Sequence, residues 1–559
     1  MRLTTRSEYG LICLRYLCHH AERAPISLAE ISEKEKLPKD YVEQIFMRLR
    51  RAGIVQSQKG IHGGFTLARQ ASQINMKEIF ETLEGSEIFE VFCGPEVREK
   101  IVCEHYSECS VRPVWSKIAE IINRFCAAMT LDLLIQDEQS VMARLEKLVQ
   151  GFEESQRPVT LPKSGAPKPI YMDNHATTPL DPRVLEVMLP CLKEDFGNAA
   201  SRSHPYGWEA GKKVEKARAQ VAKLIGADPR EIVFTSGATE SINLAMKGAA
   251  ENYREKGNHI ITQATEHKAV LDSARYLETK GFRVTVLGVD AMGRIRLEEL
   301  ERAITPETIL ISIMHANNEI GTLQPIEAIG KIAKARGILF HVDAAQSAGK
   351  IPLHVESLGI DILSLTAHKL YGPKGAGALY VRRKNPNVRL TAIIHGGGHE
   401  NGIRSGTLNV AGIAGLGAAC EIAQAEMAEE SARLLKLRER LKTAIESQVD
   451  EVTLNGHPTE RLPGNLNLSF SYVEGEALLM SLCDIVAVSS GSACTSASAE
   501  TSHVLKALGT GSDLMYTAVR FGLGRFNTAE EVDIVAARVS ETVKKLREMS
   551  PIYKAAKKN

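Results

Sequence analysis

The sequence predicts two unlike folds in one chain. Residues 1–150 read as an α+β head of winged helix-turn-helix type ending in a long helix, and residues 170–559 as an α/β body on a mostly parallel sheet. Three observations carry this. At 559 residues the chain is longer than one hydrophobic core supports. Its first 67 residues run helix, helix, helix, hairpin. From Ile170 onward, short β-rich apolar runs alternate with helical segments. Between the two parts, residues 151–169 hold Pro158, Pro162, Pro167 and Pro169 without an apolar period, which predicts a linker.

Composition narrows the class. Apolar content of 44% and charged content of 25% are those of an ordinary globular protein. A net charge of +1 gives no whole-chain sign of a nucleic-acid or membrane partner. No apolar run reaches the roughly 18 residues of a membrane span. Met1 to Arg6, followed by an amphipathic stretch containing Arg15, is not a secretory signal pattern. The ten cysteines are scattered, which argues against a disulfide scaffold and for reduced thiols in a cytoplasm.

In the head, Thr4 to His20 places Leu11, Leu14, Leu17 and Cys18 at helical spacing. Ser27 to Glu30 has the form of a capping box that starts a second helix. A third helix, Tyr41 to Ala52, puts Val42, Ile45, Phe46 and Leu49 on one face. Gly53-Ile54-Val55 begins a strand, and the glycine-rich turn from Lys59 to Phe65 closes a hairpin. Residues 1–70 contain 12 Lys/Arg and 7 Asp/Glu, a local balance of +5 in a nearly neutral chain. That is the footprint of phosphate contact, and equally of a small bundle with a solvated basic face. Cys93, Cys103 and Cys109 follow within 17 residues, in a polar stretch that suits an iron–sulfur cluster, zinc, or three unconnected thiols. From Val111 to Ile135 one long amphipathic pattern predicts a helix that packs against a partner subunit or within its own chain.

Met1-Arg2-Leu3-Thr4, Tyr41-x-Glu43-Gln44-Ile45-Phe46-x-Arg48-Leu49-Arg50 and the Gly63-Gly64 wing resemble the winged-helix regulators that sense iron–sulfur clusters, of the Isc-operon repressor type. The match covers about residues 1–140. The resemblance implies a dimer with the long helix at its interface, Tyr41, Glu43 and Gln44 facing the DNA major groove, and Lys59 near the backbone or minor groove. It also implies a cluster, of 2Fe-2S type, held by Cys93, Cys103 and Cys109. The repressor's fourth ligand is a histidine where this chain has Arg112, which stays protonated and cannot ligate. Glu8, at the position of a carboxylate ligand in relatives, is the expected replacement, with a site that holds no metal as the rival.

In the body, apolar strands are expected at 231–234, 259–262, 283–287, 309–313, 338–343 and 360–365. Ligands of such sheets bind at the carboxyl ends of the strands, and polar residues collect there. Thr235 to Glu240 is a strand–glycine–helix turn whose free N–H groups suit a phosphate. His267 ends the next strand and could stack on a flat ring. Asp343 ends a strongly apolar strand, where a carboxylate is costly unless it meets a cation such as a pyridinium N–H. Lys369, 26 residues later, follows another strand with Thr366 and His368 beside it. A half-buried lysine there can hold an aldehyde covalently. Together these residues read as a site for pyridoxal phosphate. Cys494 lies in a small, polar run, Ser489 to Ser498, unlike Cys420 and Cys483 in apolar runs, and is a candidate nucleophile. Arg520 could clamp a carboxylate or form an ion pair.

Tyr171-Met172-Asp173-Asn174-His175-Ala176-Thr177-Thr178, Glu266-His267-Lys268, Asn317-Asn318-Glu319-Ile320-Gly321, Asp343-Ala344-Ala345-Gln346, His368-Lys369-x-Tyr371-Gly372-Pro373-Lys374-Gly375, Arg404-Ser405-Gly406-Thr407 and Ser490-Gly491-Ser492-Ala493-Cys494 closely resemble the cysteine desulfurases. The match spans about residues 170–545, with Thr366 where that family usually has Ser. The resemblance implies a fold-type I pyridoxal phosphate-dependent transferase, with a large sheet domain and a smaller C-terminal domain. Lys369 would hold the cofactor and move protons; Asp343 would pair with the ring nitrogen and Gln346 with the ring hydroxyl. His267 would stack on the ring and act in acid–base steps. Ala238, Thr239, Thr366 and His368 would bind the phosphate, with Thr407 from the other subunit of a homodimer. Asn318 and Arg520 would hold the carboxylate of L-cysteine. Cys494 would take its sulfur as a persulfide, for delivery to an acceptor or scaffold protein of iron–sulfur assembly. The sequence thus predicts a fusion of a cluster-responsive regulator of operator DNA with a desulfurase. It leaves open a regulator whose enzyme half is a platform, or a related lyase such as a selenocysteine lyase.

Overall fold

The computed structural model describes residues 4–23, 25–58, 63–84, 111–146, 168–490, 502–550 and 553–554. Lys59, Cys93, Cys103, Cys109 and Cys494 lie outside the described residues. The chain forms two compact units, Met1–Gly165 and Ala166–Asn559.

The first unit contains α1 (Thr5–His19), α2 (Leu28–Glu35), α3 (Lys39–Arg51), the antiparallel pair β1 (Val55–Gln58) and β2 (Gly64–Leu67), α4 (Met76–Glu84) and α5 (Val111–Ala128). The 3.6-residue spacing on α3 does what it predicts: Val42, Ile45, Phe46 and Leu49 are buried, in one core with Cys13, Leu14, Leu17 and Ile31. Gly64 is required where it stands, since a Cβ there would lie 2.4 Å from the Ile26 carbonyl oxygen. That close approach lets Phe65 N–H donate to Ile26 O at 2.8 Å and ties the wing to the start of α2.

Two expectations for this unit need correction. The capping box is half formed: Ser27 Oγ accepts the Glu30 amide at 3.2 Å, but the Glu30 carboxylate is taken by the Tyr16 hydroxyl at 3.0 Å. The helix expected from Val111 to Ile135 stops at Ala128, Thr130 is extended (φ −111°, ψ 158°), and a 3-10 turn covers Leu131–Ile135. Backbone pairing with the chain before α4 outcompetes the helix. Met76 N–H donates to Met129 O, and Leu131 N–H to Ile74 O, each at 2.8 Å. Leu131 and Leu133 are thereby buried, a gain that solvent-facing helix would not provide.

The second unit is built on a seven-stranded sheet in the order β4 (Ile232–Thr235), β10 (Gly377–Val381), β9 (Ile362–Thr366), β8 (Leu339–Asp343), β7 (Thr308–Ser312), β5 (His259–Gln263), β6 (Arg283–Leu287). Five strands, β9 to β6 in that order, run parallel; β10 is antiparallel to both its neighbours. Strands β4, β5, β7, β8, β9 and β10 are buried along their length, as a sheet covered on both faces requires. A smaller sheet, β11 (Val452–Leu454), β12 (Asn465–Phe470), β15 (Ala518–Gly522) and β14 (Ser489–Ser490), is antiparallel. The helix Val410–Glu446 joins the two cores: Ile413, Leu416 and Cys420 pack with the large sheet, and Leu434, Leu437 and Leu441 with the small one. A two-stranded parallel pair, β3 (Ile170–Tyr171) with β13 (Val486–Ala487), begins the unit. Among the described residues no helix is long and apolar enough to cross a membrane.

Candidate active site

Strands β4, β5, β7, β8 and β9 all end at one edge of the large sheet, and a cleft of about 540 Å³ opens there. Its lining includes Ala238, Thr239, His267, Asn318, Asp343, Gln346, Thr366, His368 and Lys369, each expected from the sequence.

One end of the cleft is built to hold an anion. The helix Ala238–Asn252 starts there, and its first amides have no partner within the helix. Ser236, Thr239, Thr366 and His368 surround that helix end. The turn is held close: a Cβ on Gly377 of β10 would lie 2.5 Å from Gly237 Cα. Glu240 braces it from behind. Its carboxylate accepts the Ser236 amide at 2.8 Å and pairs with Arg404 through Nε at 2.8 Å. His368 Nδ1 lies 3.1 Å from Thr177 Oγ1, and burial, then the Lys369 charge, push its pKa down to about 4, so the ring is neutral.

The cleft is also lined by Asp343, 5% exposed, with one carboxylate oxygen accepting the Ala345 amide at 2.9 Å. A carboxylate so enclosed favours a cationic partner from the cleft. Lys369 lines the same cleft, half-buried on the 3-10 turn Ala367–Lys369 that follows β9. His267 caps the helix Lys268–Glu278, its Nδ1 accepting the Ala269 amide at 3.1 Å. Burial, then Lys369, lower its pKa. A neutral imidazole that accepts at Nδ1 carries its proton on Nε2, so the ring has one defined tautomer. A lysine amine, a buried acid and a nest of amides and hydroxyls form the donor set that pyridoxal phosphate requires, and the residues fit that cofactor.

Three expected residues stand elsewhere. Thr407 is exposed and is not part of its own chain's cleft. Arg520 is 2% exposed and is engaged already: Nη2 donates to Asp173 Oδ1 at 2.7 Å and Nη1 to the Asn318 carbonyl at 2.9 Å. Glu8 is exposed in the first turn of α1, and among the described residues no cluster of three or more metal-ligating side chains occurs. On α3, Glu43 and Gln44 are exposed, while Tyr41 is half-buried and packs edge-on against Tyr9. Cys420 is buried as expected, but Cys483 is exposed, because it caps a helix end and its thiol donates to Met480 O at 3.1 Å.

Behind the residues that line the cleft stand others that sequence reasoning passed over. Asp173 and His175 lie within a motif singled out above, but nothing in their spacing assigns them partners. Glu266 too lies within a quoted motif without a partner assigned, and Lys350 sits among small or apolar neighbours, with no periodic signal. Glu266 is fully enclosed, with Oε1 accepting from Met314 N–H at 2.5 Å and Gln263 Nε2 at 2.9 Å. Burial, then the Asp343 charge, raise its pKa well above the carboxylate range, so it is a neutral acid.

Residues 170–535 match the class-V aminotransferase family, and residues 3–137 match the Rrf2 family of iron-dependent transcriptional regulators. A cysteine desulfurase IscS of Anaeromyxobacter sp. (strain Fw109-5) is 61% identical over 389 residues, 70% of this chain and 96% of that protein. A mouse (Mus musculus) cysteine desulfurase is 58% identical over 386 residues, 69% of this chain and 84% of its own. The solved structure of a NifS-like protein superposes with a TM-score of 0.63 at 42% identity, covering 68% of this chain and 100% of that one. A cleft that fits pyridoxal phosphate at the strand ends of this sheet, and identity of about 60% to relatives of that kind, place the chain in the class-V aminotransferase family among the cysteine desulfurases, with an Rrf2 regulator domain ahead of it.

Proposed function

We propose that the body is a pyridoxal phosphate-dependent cysteine desulfurase and that the head is a DNA-binding regulator responsive to an iron–sulfur cluster. One observation supports the first part most directly: Lys369, Asp343 and the open helix end at Ala238 share a single cleft. When bound, the cofactor supplies an electron sink that weakens bonds at the substrate's α and β carbons.

The chain's own groups do the rest. Ala238, Thr239, Thr366 and His368 hold the phosphate, with Thr407 reaching in from a second copy of the chain. Asp343 faces the ring nitrogen and Gln346 the ring hydroxyl. His267, neutral and protonated on Nε2, would stack on the cofactor ring and act in acid–base steps. Asn318 and Arg520 hold the substrate carboxylate, and the Lys369 amine carries protons between substrate carbons. The Cys494 thiolate attacks the sulfur of bound L-cysteine. An S–S bond forms as the C–S bond breaks, and the freed β carbon takes up one proton. L-Cysteine and the enzyme thiol thus become L-alanine and a persulfide on Cys494, with no outside oxidant or reductant. The persulfide is the donor to a sulfur-acceptor protein of iron–sulfur assembly in the cytoplasm.

For the head, the reading rests on the Rrf2 match and on Cys93, Cys103 and Cys109. These thiolates, with Glu8 from a partner copy, are the proposed ligands of a 2Fe-2S cluster. The exposed Glu43 and Gln44 of α3, with Tyr41 and Lys59, are the proposed operator contacts.

The test of the enzyme is Cys494→Ser in the full chain. The variant is expected to keep the cofactor's visible absorption and lose alanine formation from L-cysteine. Full turnover of L-cysteine by the variant, or turnover of L-selenocysteine alone by the wild type, contradicts the reading. Iron and sulfide assays after anaerobic purification of Glu8→Ala test the ligand set; an unchanged cluster removes Glu8 from it.

A further inference from the structure

Gln346 is the wall between two spaces. Its side chain lines the large cleft, whereas Lys350 and His175 do not; both line a small adjoining chamber with Tyr371, Glu430 and Ser431. The Gln346 amide is gripped from that chamber. Lys350 Nζ lies 3.3 Å from Gln346 Oε1, His175 Nδ1 lies 3.0 Å from the same oxygen, and Gln346 Nε2 lies 2.8 Å from the His175 carbonyl oxygen.

Chemistry fixes which end of the amide is which. In its charged form Lys350 only donates, so the amide atom facing it is the oxygen. A backbone carbonyl only accepts, so the atom facing His175 O is the nitrogen. The two constraints come from different residues and agree. His175 Nδ1 must then carry a proton, because it faces an oxygen already receiving the Lys350 bond, and its Nε2 is a bare acceptor. The ring is fully buried, and burial, then the Lys350 charge, hold its pKa far below the ordinary value. Gln346 Nε2 has two hydrogens, one used on His175 O, which leaves one for the cleft.

We propose that Lys350, with His175, is a positioning residue that locks the Gln346 amide so that the cleft wall presents an N–H donor, never a carbonyl, to the oxygen-bearing edge of the bound pyridoxal phosphate. This rests on the cofactor reading above. Without Lys350 the amide oxygen loses one of its two donors, and the lock against the flipped orientation, which sets oxygen against oxygen, rests on His175 alone. Burial, then the Lys369 charge, lower the Lys350 pKa to about 7, against the pull of the chamber carboxylate Glu430.

The experiment titrates the visible absorption of the holoenzyme with pH, for wild type, Lys350→Met, Lys350→Gln, Gln346→Leu and the double variant Lys350→Met/Gln346→Leu. A protein merely loosened by substitution does not move this midpoint. Gln346→Leu, which removes the donor, is expected to shift it by about 0.5–1 pH unit. Lys350→Met and Lys350→Gln are expected to shift it in the same direction by at least half as much, and the double variant no further than Gln346→Leu alone. Lys350 variants that titrate like wild type while Gln346→Leu does not, or shifts that add in the double variant, overturn the proposal. A wild type without a visible band overturns the cofactor reading instead.

Discussion

Asp173 Oδ1 lies 2.7 Å from Arg520 Nη2, an ion pair joining the segment after β3 to the middle of β15. The other Asp173 oxygen accepts the Ser489 hydroxyl at 2.7 Å, and Ser489 is the cross-strand partner of Arg520. The arginine proposed to hold a substrate carboxylate is therefore oriented beforehand by a carboxylate of the protein.

Removing that orienting acid leaves a buried guanidinium uncompensated. Asp173→Asn is expected to destabilise the body by about 3 kcal/mol, seen as a lowered melting temperature. Arg520→Lys keeps the charge but cannot span Asp173 and the Asn318 carbonyl together. It is expected to raise KM for L-cysteine at least about tenfold with a smaller change in kcat. An Asp173→Asn protein that melts like wild type contradicts this part of the account.

Glu266 is expected to behave as a neutral acid. Glu266→Gln keeps an oxygen for the Met314 and Gln263 donors and should melt within about 0.5 kcal/mol of wild type. Glu266→Ala orphans both donors and should cost about 2–4 kcal/mol. Thermal melts of the two variants decide; a large loss in Glu266→Gln means that the negative charge matters.

Glu319 gives a pH dependence of known sign. It is enclosed and accepts from the Ser502 hydroxyl, and burial raises its pKa to about 7. A folded pKa above the unfolded value means stability that is full below about pH 4.5 and is lost as pH rises through about 7. Glu319→Gln removes that dependence. Its melting temperature relative to wild type is expected to increase between pH 5 and 8. A difference that is flat with pH, or that falls, counts against the shift.

In the head, the exposed face of α3 predicts two different defects. Gln44→Ala should reduce discrimination among duplexes selected from a random pool. Arg50→Ala should weaken all of them alike and lower the salt slope by about 1. Fluorescence anisotropy at several salt concentrations separates the two; binding unaffected by either change removes α3 from the interface.

How much of this was legible in the sequence depends on the length scale of each signal. The stripe Val42, Ile45, Phe46 and Leu49, and the apolar strands ending at Thr235, Asp343 and Thr366, were readable because their periodicity is local. So was the convergence of Asp343 and Lys369, because parallel strands bring their carboxyl ends to one edge. The break at Thr130 was not, since it depends on backbone pairing with Ile74 and Met76, about 55 residues earlier. Antiparallel β10 was missed because Gly377 to Val381 follows a glycine-rich turn with no flanking helix. The pairings of Gln346 with His175, and of Asp173 with Arg520, link positions far apart in the chain, where one sequence has no spacing rule to offer.

The central claim is that Lys369 carries pyridoxal phosphate. Borohydride reduction of the purified full-length chain, followed by digestion and mass spectrometry, tests it most directly. The account predicts one pyridoxyl-modified peptide, with the label on Lys369, and loss of that label in Lys369→Ala. A label on Lys350, Lys374 or another lysine, or no labelled peptide at all, would contradict it.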